Sequence, residues 1–331
     1  MTRRIPLYWV LIIALIIAIP YNLYINHFNI PVAHSEEQKE SCNLPYNLVQ
    51  INRNTFVHPI LLAEVATEDP KLNPLKEKIN ALIEEKKNDK TLTSASVYFN
   101  ILNSADGWFG INNDQKYNLA SLLKVAFVMA MLKDAEDNPA MLDKKIHFTK
   151  HLSAVEGQNI LNHALQLGNY YTIKELLQYA ICYSDNDAAY LIVEACKTGS
   201  LNKLLTDLQL PPCDLYKEYI ANAEEYSRLF RVLCNGSYLS NDLSEYALEL
   251  LTKSDFNEGI TKKLDKNIIV ARKFGERTQE NKELHEFGII YLKGNPYLLG
   301  IMTKGNDYKQ LEELISTIST TVYEEMAKPA L

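Results

Sequence analysis

Ser121-Leu-Leu-Lys124-Val-Ala-Phe-Val-Met-Ala-Met-Leu132 is the stretch that decides the reading of this chain. A serine stands three residues ahead of a lysine at the head of an almost wholly apolar helical run. On a helix, positions i and i+3 share a face, so Lys124 can reach back toward the Ser121 hydroxyl. A serine hydroxyl is a weak nucleophile at neutral pH and must lose its proton to a nearby base as it attacks. A lysine serves as that base only where burial or a neighbouring positive charge destabilises its ammonium. The run lacks the polar side of a surface helix, which predicts a central helix and supplies the burial.

The flanks add order to this pair. Ser94 to Asn103 alternates as a strand and ends in the turn Ser104-Ala-Asp-Gly107; a second short strand, Trp108 to Ile111, leads through Asn112-Asn-Asp114 to Tyr117-Asn-Leu-Ala-Ser121. Downstream, Tyr171-Thr172-Ile-Lys-Glu-Leu-Leu177 reads as a threonine-capped helix. Ser184-Asp185-Asn186, 63 residues after Ser121, opens a further apolar helix. Lys273-Phe274-Gly275 follows 89 residues after Ser184, inside the strand-like Ile268 to Glu276. His285 to Leu292 and Pro296 to Thr303 read as two strands joined at Lys293-Gly294-Asn295. A last helix, Tyr308 to about Met326, carries the inward stripe Leu311, Leu314, Ile315, Ile318 and Val322, and Asn73 to Lys87 is a first amphipathic helix. A mainly helical middle with strands at both ends predicts an α+β architecture.

Ser-x-x-Lys, Ser-Asp-Asn and Lys-x-Gly, in this order, resemble the three active-site motifs of the penicillin-recognising serine hydrolases, above all the class A β-lactamases. The resemblance covers roughly Asn73 to Glu325. It implies an antiparallel sheet flanked by helices, with a mainly helical lobe (about 119–266) inserted between the first and last strands, and a site in the cleft between them. It also implies roles. Ser121 is the nucleophile and Lys124 its base; Ser184 relays a proton to the leaving nitrogen, Asp185 locks that loop and Asn186 binds a substrate amide. Lys273 presents positive charge to a substrate carboxylate and helps set the proton pattern around Ser184. The backbone N–H groups of Ser121 and of Glu276, the residue after Gly275, form the oxyanion hole; such donors are each worth about 2.7–4 kcal/mol of barrier.

Two departures from the pattern bear on function. The family usually has a hydroxyl where Phe274 stands, and a phenyl ring cannot donate to a carboxylate, which shifts recognition toward Arg277. The Glu-x-x-Leu-Asn loop, whose glutamate activates the deacylating water in class A enzymes, is missing between Ser184 and Lys273. Glu218, in Leu208 to Ile220, is the one tempting substitute, with a solvated loop glutamate as the other reading of it.

Composition frames the rest. With 331 residues, 47% of them hydrophobic, the chain can bury a substantial core. A formal charge of −7 gives no nucleic-acid footprint. No metal-ligand spacing and no cofactor motif occurs, and the five cysteines (42, 182, 196, 213 and 234) do not make a full disulfide framework. Cys182 reads as a packing residue and His285 as structural. Arg3 and Arg4 precede the uncharged run Ile5 to Asn26, long enough to span a bilayer. The expected organisation is a membrane anchor over 1–26, uncleaved rather than a signal peptide, a polar linker over 27–45, and a catalytic body over 46–331 held outside the cytoplasm. Three functional readings stand: a serine hydrolase of β-lactams or related amides with slow deacylation; a D-alanyl-D-alanine peptidase or transpeptidase acting on a peptidoglycan-derived substrate; and a non-hydrolytic, membrane-tethered binding protein.

Overall fold

A computed structural model of the chain describes residues 46–328, except 52–54, 105–106, 152–162, 215–216 and 280. The expected anchor, the linker and Cys42 lie outside the described residues. Among the described residues, no helix is long and apolar enough to cross a membrane.

In chain order the elements are β1 (Tyr46–Gln50), β2 (Ile60–Val65), α1 (Asn73–Asn88), β3 (Leu92–Ile101), β4 (Trp108–Ile111) and β5 (Tyr117–Asn118). Then come α2 (Lys124–Asp137), β6 (Lys145–His147), β7 (Tyr170–Thr172), α3 (Ile173–Cys182), α4 (Asn186–Ala195) and α5 (Ser200–Asp207). The chain closes with β8 (Ile220–Ala221), α6 (Ala223–Cys234), α7 (Asn241–Thr252), β9 (Val270–Thr278), β10 (Lys282–Ile290), β11 (Tyr297–Gly305) and α8 (Tyr308–Met326). The central sheet is antiparallel, in the order β4-β3-β11-β10-β9. The architecture is α+β, as the sequence predicts.

Alternation along the strands sorts the core onto two faces. Val97, Phe99, Leu299 and Ile301 pack with Leu75, Ile79 and Ile83 of α1 and with Leu311, Leu314, Ile315 and Ile318 of α8. Their neighbours Tyr98, Leu298, Met302, Phe287 and Ile289 face the helical middle of the chain, where α2 is the hub. α2 is buried around nearly its whole circumference, which its lack of a polar face required. Thr172 caps α3 through a full capping box with Glu175, and Asp185 caps α4 by accepting from the Ala188 N–H.

Observed strand ends differ from the expected ones by up to three residues. β10 stops at Ile290, so the turn to β11 spans 291–296 instead of the three residues Lys293-Gly294-Asn295. The β1–β2 hairpin was not expected at all. It docks on α6 through Glu64, which accepts from Arg228 at 2.9 Å and 3.0 Å and from Arg231 at 2.8 Å, all three side chains being largely buried. Removing the carboxylate leaves two buried guanidiniums unpaired. Breaking such a cluster costs about 3–5 kcal/mol. Glu64→Ala is therefore expected to lower the urea midpoint of unfolding by that equivalent; an unchanged midpoint would mean that the Glu64 cluster contributes nothing to stability.

Candidate active site

Ser121 does not lie in α2 itself, as the sequence reading had it. It sits in the 3₁₀ turn Ala120–Leu123, and the α-helix begins at Lys124. The tighter turn helps the chemistry, because side chains at i and i+3 eclipse one another in a 3₁₀ helix. The Lys124 ammonium nitrogen lies 2.9 Å from Ser121 Oγ. Ala120 enters the turn with φ of +47°, an uncommon value for a residue with a Cβ.

Backbone contacts from three sides hold this turn. Asn118 Oδ1 accepts from the Ala120 N–H at 2.9 Å, and the Tyr226 hydroxyl donates to Leu122 O at 2.8 Å. His285, fully buried in β10, has Nε2 3.0 Å from Asn118 O and accepts from the Thr303 N–H at Nδ1. Both ring nitrogens of His285 are thus engaged by backbone groups, which holds β10 and β11 against the residue that enters the turn. The two-residue pair β5–β8 and the bond from Leu119 N to Tyr219 O (2.9 Å) tie the turn to the end of the loop after α5.

Ser184, completely buried and held at φ of +59°, is the meeting point. Its Oγ lies 3.2 Å from Lys124 Nζ and 2.9 Å from Lys273 Nζ, and its carbonyl also accepts from Lys124. Asp185 fixes this segment with both carboxylate oxygens: one caps α4 and the other accepts from Leu165 N at 3.0 Å. The structure thus joins Ser121, Lys124, Ser184 and Lys273 in one continuous chain of polar contacts. Burial, and then the nearby charge of Lys273, push the Lys124 pKa well below its ordinary value. Burial likewise brings Lys273 down to about 7, against the opposing pull of Asp255 and Glu286. Both shifts disfavour the charged amines, the direction that general-base work by a lysine needs.

Gly275 is where β9 touches the nucleophile turn. A Cβ there would lie 2.8 Å from Leu119 O and 3.0 Å from Leu122 N, both backbone atoms. Glycine alone permits this approach. The Ser121 and Glu276 N–H groups named for the oxyanion lie on the two backbones so brought together.

The Phe274 ring, which cannot donate to a carboxylate, is buried in the α1/α8 core and stacks on Phe256 at 4.4 Å. Lys273 Nζ lies 4.3 Å from the centroid of the same ring. Arg277 pairs with Glu218 across the gap between β9 and the loop after α5, and Glu218 is more than half exposed.

Ser121, Lys124, Asn186 and Glu218 line one cavity of about 360 Å³ with Cys213 and Tyr219 among its other walls. Lys273, Gly275, Glu276 and Arg277 are not part of its lining. Sequence reasoning missed this side of the site. Phe127, one turn beyond Lys124, and Ala189 and Tyr190, one turn beyond Asn186, also line it; helical spacing from the motif residues could have found all three. Among the described residues, no group of histidine, cysteine and carboxylate side chains could hold a metal ion.

The family model described as the β-lactamase enzyme family matches residues 74–326. None of the curated proteins is similar at a significant level. Similar solved structures include a PBP-A mutant in acyl-enzyme complex with penicillin G (21% identity, 77% of this chain and 96% of that one, TM-score 0.64). The β-lactamase from Sphaerobacter thermophilus DSM 20745 is 18% identical over 76% of this chain and 96% of its own, with a TM-score of 0.67. A class A β-lactamase from Mycobacterium abscessus is 17% identical over 77% and 100%, with a TM-score of 0.64. At these identities the likeness is one of fold.

Gly275→Ala is expected to push β9 off the nucleophile turn and slow acylation of Ser121 by about 10²-fold, the scale of one lost oxyanion donor. Stopped-flow labelling with a chromogenic β-lactam measures it. A wild-type rate would show that the close approach is not needed.

Proposed function

The chain belongs to the β-lactamase enzyme family and is a serine hydrolase of that kind, and from that premise we propose that it works through an acyl-enzyme on Ser121 and deacylates slowly. One observation carries the reading: Ser121 Oγ lies 2.9 Å from the amine of a buried lysine whose charged form is disfavoured. Neutral Lys124 takes the Ser121 proton as Oγ attacks the carbonyl carbon of a β-lactam or related amide. The carbon–nitrogen bond then breaks, and the leaving nitrogen takes a proton from Ser184, which Lys124 replaces. The net transfer is one proton from Ser121 to the leaving amine. Lys273, while charged, attracts a substrate carboxylate and keeps the Ser184 oxygen turned toward the relay.

Hydrolysis of the resulting ester needs an activated water. Among the described residues Glu218 is the one carboxylate lining the cavity beside Ser121, and its oxygen is engaged by Arg277. The same observation supports the second reading, a D-alanyl-D-alanine peptidase or transpeptidase, in which an amine can relieve the ester in place of water. Membership of an enzyme family sets the non-hydrolytic scaffold aside. The uncharged run Ile5 to Asn26 behind Arg3 and Arg4 supports a membrane-anchored protein with its body outside the cytoplasm.

Incubation with a fluorescent penicillin, followed over time, tests the mechanism. Stoichiometric labelling of Ser121 is expected, with release slower by about 10²–10⁴-fold than general-base help would allow. Ser121→Ala abolishes labelling and Lys124→Ala slows it by about 10²-fold or more. Fast multiple turnover, insensitive to Glu218→Gln, would overturn slow deacylation.

The pH profile provides a separate check. Labelling should fall on the acid side as Lys124 becomes protonated, and again above about pH 7 as Lys273 loses its charge. Lys273→Arg, which cannot deprotonate in this range, should remove the alkaline loss; an alkaline limb that persists would exclude Lys273 as its source.

A further inference from the structure

We propose that Glu286, on β10, is a positioning residue for acylation: with Arg272 it fixes the turn between α7 and β9, and so brings two carboxylates, its own and that of Asp255, to bear on the Lys273 ammonium. The inference rests on the acyl-enzyme reading and adds to it the groups that keep Lys273 charged. Glu286 is fully buried and stands opposite Phe274 in the register of β9 and β10. Lys273 turns its amine toward the Phe274 side of the strand. Its Nζ donates to Phe274 O at 2.9 Å and lies 4.3 Å from the centroid of that ring.

One carboxylate organises the segment 254–260. Glu286 Oε2 accepts from the Ile260 N–H at 2.6 Å, and its Oε1 lies 3.4 Å from Arg272 Nε. A Cβ at Gly259 would overlap Glu286 Oε2, so glycine alone lets the turn come this close. Arg272, itself buried, donates to Ser254 O at 2.9 Å, to Phe256 O at 2.8 Å and 3.1 Å, and to Asn257 Oδ1 at 2.8 Å. These contacts hold the residues on either side of Asp255, whose N–H donates to Cys182 O at 3.0 Å. Asp255 is thereby tied both to the strand that carries Lys273 and to the segment that carries Ser184.

Stability alone does not account for the pair, because hydrophobic side chains of similar volume often replace a buried ion pair without loss. Glu286 Oε1 also accepts no hydrogen bond among the described residues. Its field offers a use. Burial is what drives the charge from Lys273, and Asp255 and then Glu286 oppose it, with smaller help from Cys182 of α3 and Glu276 of β9. Lys124, at the head of α2, is the like charge facing it across the Ser184 oxygen. Burial pushes the Glu286 carboxyl up to about 7, against Arg272, the Ile260 N–H and Lys273. Rising pH therefore ionises Glu286 in the range where Lys273 would shed its proton, and the new anion favours the ammonium. The carboxylate extends the alkaline side of the working range.

Labelling of the full-length protein in mild detergent with a fluorescent penicillin, followed against pH, tests this. Glu286→Gln keeps the shape and cannot ionise. It is expected to move the alkaline limb of the acylation rate down by about one pH unit, the low end of what a neighbouring opposite charge contributes. The rates should differ least on the acid side, where Glu286 is itself protonated, and Glu286→Asp should restore much of the limb. Beside Lys273→Arg, the glutamine change should have no pH-dependent effect. A loss equal at every pH, or a pH-dependent loss that persists beside Lys273→Arg, overturns the proposal. The coupling is reciprocal, which gives a second measurement independent of whether Glu286→Gln folds. In protein whose glutamates are isotopically labelled at the side-chain carboxyl carbon, the Glu286 signal is identified by its loss in Glu286→Asp. Lys273→Met should raise its titration midpoint by about one pH unit; an unmoved midpoint overturns the proposal. Absence of any adduct on Ser121 by intact-mass analysis overturns the acyl-enzyme reading beneath it, a failure that the carbon titration distinguishes.

Discussion

Two lysine nitrogens converge on a single serine oxygen, at 3.2 Å and 2.9 Å, inside a region closed to solvent. Like charges brought to one oxygen repel strongly where water is excluded. Burial disfavours the charged form of both amines, and carbonyl oxygens of Ser184 and Phe274 accept from the two side chains. The surrounding fold exists to impose this meeting. α2 contributes one lysine, the edge strand β9 the other, and the Ser184 segment between α3 and α4 presents the shared oxygen.

Holding three separate segments together in this way leaves its mark on the backbone. Ala120 and Ser184 both take positive φ although neither is glycine. Values of that kind are costly and survive only where the neighbourhood over-determines them. Here it does: Asn118 fixes the first, and Asp185 with its two accepted N–H groups fixes the second. Ser121 and Ser184 are thus set by strain borne locally and by packing spread across the whole core.

Much of this was legible in the sequence because it rests on short-range periodicity. Ser121 and Lys124 are one turn apart, Thr172 and Asp185 are recognisable caps, and the stripe from Leu311 to Val322 fixes the last helix. The order of the three motifs supplied their meeting place only through resemblance to a family. What stayed hidden depends on long-range geometry. Nothing local in Leu119-Ala120-Ser121 announces a 3₁₀ turn with a left-handed alanine. The pairing of Glu218 with Arg277 joins residues 59 apart, and the burial of Phe274 follows from which face of an edge strand meets α1 and α8. The β1–β2 hairpin, paired over five register positions, escaped because Tyr46 to Gln50 alternates too briefly to stand out.

That hairpin also has a mechanical consequence. It lies ahead of the matched family region, and it is held by the Glu64 carboxylate shared by Arg228 and Arg231 and by Val49, Leu61 and Leu62 packed into the core. Any tension applied to the chain from its N-terminal side reaches β1 first and must cross this junction before it can reach the central sheet. The junction is a two-stranded hairpin, while the sheet behind it has five strands. A tug would therefore peel the hairpin away while the lysines and serines stayed in register, so the hairpin serves as a mechanical fuse for the site behind it.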